Sequence, residues 1–275
     1  MAGDGARPWV VVTGASGGIG AELAWCFARD GHHLVLVARS AARLAEACAE
    51  SLRRGAPRAE AIALDLAAAG GAAALAAELE RRGIVPGVLV NNAGYGLLGE
   101  VAGLDLADEL AMMRLNMLAV VELAKRLLPG ILAAGEAGGL LNVASTAAYQ
   151  PGPYMATYYA TKAFVLSWSE ALAEELAGRS RVTCLCPGPV RTGFQSRAGF
   201  TEGIALMSGL VPLLSAEQVA RAGVAGFRRG RRVLVPGLAN RLGTVAARAV
   251  PRALAAKVVA RLQRGRARSA RPAAD

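Results

Sequence analysis

Short runs rich in β-branched residues and leucine alternate along the chain with longer Ala/Leu/Arg segments whose apolar positions recur at helical period. The runs Trp9 to Thr13, Leu34 to Ala38, Ala61 to Leu64, Val88 to Asn91, Leu140 to Ala144, Arg181 to Cys186 and Val233 to Val235 are predicted strands. Segments 19–30, 41–54, 71–82, 105–128, 156–177 and 216–229 are predicted helices, the last opened by a capping box of Ser215 and Gln218. Strands that are apolar nearly throughout are buried on both faces, and alternation of β with α gives a parallel sheet covered by helices on each side. The expected fold class is therefore α/β, one doubly wound parallel sheet of about seven strands. Such sheets bind ligands at the carboxyl ends of their strands, where strand order reverses, so the chemistry is expected there.

Composition narrows the picture. The chain has 275 residues, 54% hydrophobic and 19% charged, enough to bury a substantial core as one domain. Gly, Pro or charge interrupts every apolar run well short of the ~20 residues of a membrane-spanning helix, so no span is predicted. The amino terminus enters a strand-like run at once, without a basic region or cleavage site, which argues against a signal peptide. Cys26, Cys48, Cys184 and Cys186 lack metal-ligand spacing and read as buried free thiols of a reducing cytosol, so a cytoplasmic location is expected. Residues 1–237 hold 22 Lys/Arg against 20 Asp/Glu, whereas residues 238–275 hold 9 against 1. The body is nearly neutral and the tail is basic. Nucleic-acid binding would call for basic residues interleaved with aromatics, and the tail has no aromatic residue, so no nucleic-acid partner is expected.

The strand ends carry the candidate binding residues. Thr13-Gly14-Ala15-Ser16-Gly17-Gly18-Ile19-Gly20 follows the first strand and opens the first helix. Its glycines allow a sharp turn and close approach of a pyrophosphate to free N–H groups at a helix amino terminus. At the end of the second strand, where an NAD site would carry a carboxylate, stands Arg39. A guanidinium pairs with a 2′-phosphate, so NADP(H) is the expected cofactor, with NAD(H) the alternative; Arg43 lies one turn on and can contribute. Asp65 and Leu66 end the third strand, and Asp65 suits either an adenine amino group or a capping role. Asn91-Asn92-Ala93-Gly94 offers small residues against which a cofactor can lie. Pro187-Gly188-Pro189-Val190-Arg191-Thr192 exposes backbone for a carboxamide, with Thr192 in reach of a phosphate.

Tyr158 and Lys162 are four apart and share a helix face; neither Tyr154 nor Tyr159 has such a partner. An ammonium beside a phenol lowers the phenol's pKa from its ordinary value of about 10, making an acid/base that exchanges a proton with a substrate oxygen. Ser145 ends the fifth strand and can hydrogen-bond a carbonyl oxygen, with Thr146 beside it as a rival. Asn116 lies within a predicted helix, an unfavourable place for asparagine without a specific task.

Together these motifs resemble the classical short-chain dehydrogenase/reductase family, over roughly residues 9–237, in order and spacing. The surroundings of Tyr158 resemble a bacterial branch with mostly unassigned substrates. The resemblance implies a Rossmann-type catalytic domain over 1–237 that moves a hydride between NADP(H) and a carbonyl or secondary alcohol. It implies Tyr158 as proton donor in reduction, Lys162 as the group that holds the nicotinamide ribose and lowers the tyrosine pKa, Ser145 as the group that orients the carbonyl, and Asn116 as the anchor of a proton-relay water. It also implies a homodimer or homotetramer. Substrate selectivity is expected from Tyr95 to Leu98, Ala147 to Pro153 and a lid over Ser196 to Leu214, all apolar enough for an uncharged hydrophobic compound.

The carboxyl-terminal extension, 238–275, departs from that pattern. Leu238, Leu242, Val245, Ala249, Leu254, Val258 and Leu262 form an apolar stripe broken at Pro251, among basic residues, with a disordered tail expected beyond Gly265. A basic amphipathic segment suits an anionic membrane surface through 238–264, and equally suits covering the lid or a neighbouring subunit.

Overall fold

The computed structural model describes residues 7–190 and 213–269. Seven strands, β1 (Trp9–Thr13), β2 (Leu34–Ala38), β3 (Ala59–Ala63), β4 (Pro86–Asn91), β5 (Gly139–Val143), β6 (Arg181–Leu185) and β7 (Val233–Leu234), form one sheet in the order β3-β2-β1-β4-β5-β6-β7. Every pairing is parallel. The chain starts in the middle and winds outward in both directions, so strand order reverses between β1 and β4 and opens a crevice above their carboxyl ends.

Helices α1 (Gly18–Arg29), α2 (Ala41–Arg53) and α7 (Ala216–Arg228) cover one face, where Leu23, Phe27, Leu44 and Phe227 pack on Val10, Val12 and Leu36. Helices α3 (Gly71–Arg81), α5 (Ala119–Ala133) and α6 (Ala156–Glu175) cover the other, where Leu75, Leu123, Ile131 and Ala173 pack on Val11, Val35 and Leu89. Successive strand residues thus feed opposite cores, which is why the strands read as unbroken apolar runs. The capping box of Ser215 and Gln218 is present in full.

Several boundaries differ from the expectation. Strand β3 begins two residues early because Ala59 and Glu60 pair with Leu34 and Val35 despite their weak strand propensity. The helix expected over 105–128 is α4 (Leu106–Met113), a π-helical turn over Arg114–Leu118, and α5, which runs four residues beyond Pro129. A π turn widens the helix by one residue and commonly marks a functional position. At the carboxyl end, α8 (Leu238–Ala249) and α9 (Arg252–Ser269) meet at Pro251. The helix persists past Gly265, where disorder was expected, because Ala and Arg sustain a helix once its first turns are docked. The expected apolar stripe also faces outward: Leu238, Leu242 and Val245 are 71%, 62% and 65% exposed, and Leu254, Val258 and Leu262 are exposed too. The opposite face docks, through Thr244, Ala255, Val259 and Gln263. Among the described residues, no helix is long and apolar enough to cross a membrane.

A buried polar ladder fixes α6 on the sheet. Asn91 Nδ2 donates to Asn142 Oδ1 at 2.9 Å, Asn142 Nδ2 to Ser169 Oγ at 3.0 Å, and Ser169 Oγ to the Val165 carbonyl at 2.6 Å. Each group is satisfied, so the ladder sets the position of the helix that carries Tyr158 and Lys162 without a desolvation penalty.

Candidate active site

The turn after β1 is shaped by two close approaches. A Cβ on Gly14, whose φ is +67°, would stand 2.8 Å from Asn92 Nδ2, and one on Gly20 would stand 2.3 Å from the Gly14 carbonyl oxygen. Only hydrogens fit there, so the turn folds tightly and α1 starts directly above the sheet. Helix α1 has no side-chain cap and no acidic residue in its first turn, so its amino-terminal N–H groups and dipole remain available to an anion. Thr13, which the sequence reading left without a role, is the knot of this corner. Its Oγ1 accepts from the N–H groups of Asn92 and Ala93, both at 3.0 Å, and donates to the Val90 carbonyl. Asn92 returns Nδ2 to the Thr13 carbonyl at 2.9 Å.

A cavity of about 850 Å³ opens from this turn along the strand ends. Gly14, Ser16, Gly17, Gly18, Ile19 and Gly20 line it, as do Arg39, Arg43, Asp65, Leu66, Asn92, Ala93 and Gly94. Ser145, Tyr158, Lys162, Pro187, Gly188 and Val190 complete the set, whereas Thr192 and 196–212 of the expected lid lie outside the described residues. Arg39 and Arg43 are exposed at its rim and take no carboxylate partner among the described residues. Asp65 Oδ1 accepts from the Ala67 N–H at 2.9 Å, closing the turn after β3, and caps no helix, since Gly70 stands at the N-cap of α3; Asp65 also lines the cavity.

At the other end Tyr158 and Lys162 are buried, at 8% and 5% exposure. Lys162 Nζ lies 5.9 Å from the centre of the Tyr158 ring and donates to the Val143 carbonyl at 2.9 Å. Burial pushes the Lys162 pKa down to about 8. Burial also raises the Tyr158 phenol, against a smaller lowering by its hydrogen bond with Ser145. This reverses the expected direction for the protein's own groups. Desolvation of the phenolate dominates, and the Lys162 ammonium is engaged by the Val143 carbonyl. Ser145 Oγ accepts from the Ala147 N–H at 3.1 Å, which orients it at the strand end; Thr146 also lines the cavity.

Asn116 sits in the π turn and is 1% exposed. Its Nδ2 donates to the Tyr95 carbonyl at 2.9 Å and to Thr161 Oγ1 at 3.1 Å, and its Oδ1 accepts from the Tyr95 N–H at 3.2 Å. The side chain therefore locks the β4 loop to α6 beside Lys162, with both amide protons already committed. Cys184 on β6 and Cys186 just beyond it are buried free thiols 3.8 Å apart behind this end of the site. Among the described residues no cluster of His, Cys, Asp or Glu could hold a metal ion.

Tyr95, Leu97, Leu115, Ala147, Gln150, Met155, Tyr159 and Gln263 line the remaining wall. Two of the three segments expected to set selectivity contribute here. Leu115 and Gln263 carry no local sequence signal, since the π turn and α9 reach the cavity only through tertiary packing.

The short chain dehydrogenase family profile matches residues 8–202. The ketoacyl reductase HetN of Nostoc sp. is 32% identical over 182 residues, 66% of this chain and 63% of HetN. The curated relatives are longer, and the match spans about half to just under two thirds of their lengths. Among solved structures, a short-chain dehydrogenase from Sphingobium yanoikuyae in complex with NADPH superposes with a TM-score of 0.76 at 33% identity, over 87% of this chain and 92% of that one. The bulky-bulky ketone specific alcohol dehydrogenase of Comamonas testosteroni gives 0.72 at 30%, over 87% and 90%. The chain belongs to the classical short-chain dehydrogenase/reductase family of oxidoreductases.

Proposed function

We propose that this protein is an NADPH-dependent reductase of uncharged, hydrophobic ketones. One observation carries the reading: a buried Tyr/Ser/Lys group and a glycine-lined helix amino terminus face the same cavity, with arginines at its rim that take no carboxylate partner among the described residues. The cradle fits a dinucleotide. A Cβ on Gly14 or Gly20 would fill the turn, the free end of α1 favours a pyrophosphate, and Arg39 with Arg43 favours a 2′-phosphate over a bare hydroxyl. Asp65, Leu66, Asn92, Ala93 and Gly94 would flank the adenosine and the pyrophosphate, and Pro187, Gly188 and Val190 the carboxamide. The bound cofactor supplies a hydride. A phosphate role for Arg39 predicts that Arg39→Asp raises the KM for NADPH at least about tenfold and that for NADH far less, since the lost contact is a charge-assisted pair. An equal effect on both would remove the assignment.

The protein's own groups handle the proton. Ser145 and Tyr158 both hydrogen-bond the substrate oxygen, and Tyr158 gives its proton to that oxygen as negative charge develops there. Burial keeps the Tyr158 phenol in its neutral, proton-bearing form. Lys162 holds the cofactor ribose, and Asn116 fixes the surroundings from which water resupplies the proton. The S. yanoikuyae protein is solved with NADPH, and the C. testosteroni enzyme is named for ketones bulky on both sides, which supports a large ketone here. The test is NADPH oxidation with bulky aryl ketones and 3-oxoacyl thioesters, with loss of turnover in Tyr158→Phe.

A second reading places the ketone in a lipid surface. It is favoured by the outward apolar stripe of α8 and α9, set among Arg241, Arg252, Lys257 and Arg261. Sedimentation with anionic phosphatidylserine vesicles, and not with neutral phosphatidylcholine vesicles, is its expected result. Leu242→Asp with Val258→Asp should abolish it, and absence of sedimentation with either lipid removes this reading.

A further inference from the structure

The docked face of α9 ends in a residue that packing does not explain. Ala255, Val259 and Gln263 recur every four residues on one side of the helix and are 8%, 6% and 4% exposed. Two small apolar groups are followed by a carboxamide at the most enclosed position. Gln263 Nε2 donates to Tyr159 Oη at 3.0 Å, while the carboxamide oxygen, also buried, has no hydrogen-bond partner among the described residues. A buried acceptor left without a partner destabilises the fold unless something satisfies it. Gln263 lines the catalytic cavity, and Tyr159, which it contacts, has its ring centre 6.1 Å from that of Tyr158.

The placement is well supported. Arg264 Nε donates to Tyr154 Oη at 3.0 Å, so adjacent residues of α9 grip two tyrosines that bracket Tyr158 in sequence. Tyr159 is itself seated on Gly152, where a Cβ would stand 2.2 Å from the ring. At the other end of the extension, the Arg248 guanidinium stacks 4.7 Å from the centre of the Tyr149 ring. The carboxamide is thus held by rigid neighbours, as a selectivity group must be.

We propose that Gln263 forms a polar subsite in the substrate cavity and selects ketones that carry a hydroxyl group remote from the reacting carbonyl. An alcohol is the group of choice because it both donates and accepts. It satisfies the carboxamide oxygen as drawn, and it equally satisfies an amide turned so that its nitrogen faces the cavity. The rest of the wall, with Leu97, Leu115 and Met155, takes the intervening hydrocarbon. The preference arises from the carboxyl-terminal extension, beyond the residues matched by the family profile. This inference rests on the reading of the cavity as a ketone site.

The test uses linear methyl ketones of graded length, each with and without a terminal hydroxyl. Binding to the NADP⁺-loaded protein is followed by calorimetry, and NADPH oxidation is followed separately. At the length that spans the cavity, the hydroxy ketone should bind about tenfold tighter than its parent, the worth of one satisfied hydrogen bond. Gln263→Leu, and the nearly isosteric Gln263→Met as a second variant, should erase that ratio and leave the affinity for NADPH unchanged. A ratio of one in the wild type at every length, or a ratio that survives both substitutions, overturns the proposal. A calorimetric preference lost in both variants, without NADPH oxidation by any ketone, would keep the subsite and count against carbonyl reduction instead.

Discussion

Replacing Tyr158 with Phe should lower kcat by about 10²–10⁴-fold, the usual worth of a positioned acid, while leaving NADPH affinity and thermal stability nearly intact. The hydroxyl hydrogen-bonds Ser145, but the ring does the packing: it belongs to a small cluster with Leu98, Met112, Ala147 and Met155. Phe keeps those contacts. Removal of one oxygen therefore separates chemistry from folding, which a larger truncation would not. Steady-state rates with a bulky ketone, set beside nucleotide fluorescence and a melting curve, make the check. A variant that retains more than about a tenth of wild-type turnover would transfer the proton donation elsewhere, with Ser145 the next candidate.

Lys162→Met should abolish most turnover and yet stabilise the fold at neutral pH. The ammonium is buried, and its pKa falls from an ordinary value of 10.5 to about 8. The folded state therefore disfavours the charged form, a cost of about 3 kcal/mol at one pKa unit per 1.36 kcal/mol. Met loses the hydrogen bond to the Val143 carbonyl, worth about 1 kcal/mol, so the net gain is about 2 kcal/mol. In a chain of this length that raises Tm by about 5 °C. The sign of the pH dependence follows from the direction of the shift. The cost is fully present below pH 8, diminishes as pH rises from about 8 toward 10.5, and is gone above that. The advantage of the variant in Tm should thus be largest near pH 7 and shrink by pH 10. Equal melting of the two proteins across that range would show that Lys162 is not desolvated as the structure has it.

These two residues also mark how much was legible in the sequence. Their four-residue spacing gave a shared helix face, and α6 provides it. The direction of their pKa shifts was not legible, because it depends on depth and on where the ammonium points, and neither leaves a trace in spacing. Strands were legible wherever two-sided burial leaves an apolar run, as in β1, β2 and β4. They were less so at β3, an edge strand of small residues, with Ala61 and Ala63 exposed, whose limits come from pairing with β2. The π turn at Asn116 was foreshadowed only as an asparagine out of place. Its identity as a helical irregularity required the partners Tyr95 and Thr161, which come from a loop and from another helix. The carboxyl-terminal helices were legible only in part. Their hydrophobic pattern gave an apolar stripe suited to another surface, and that stripe is exposed, but the docked face is built from Thr244, Ala255, Val259 and Gln263, which hydrophobicity alone does not mark.

The most direct test of the central claim is a titration of the purified protein with NADPH and with NADH, followed by nucleotide fluorescence. The account predicts saturable binding of NADPH, tighter than NADH by about tenfold or more, because Arg39 meets a phosphate in one and a hydroxyl in the other. Equal affinity for the two nucleotides would contradict the role of Arg39, and no binding of either would contradict the reading of the cavity as a dinucleotide site.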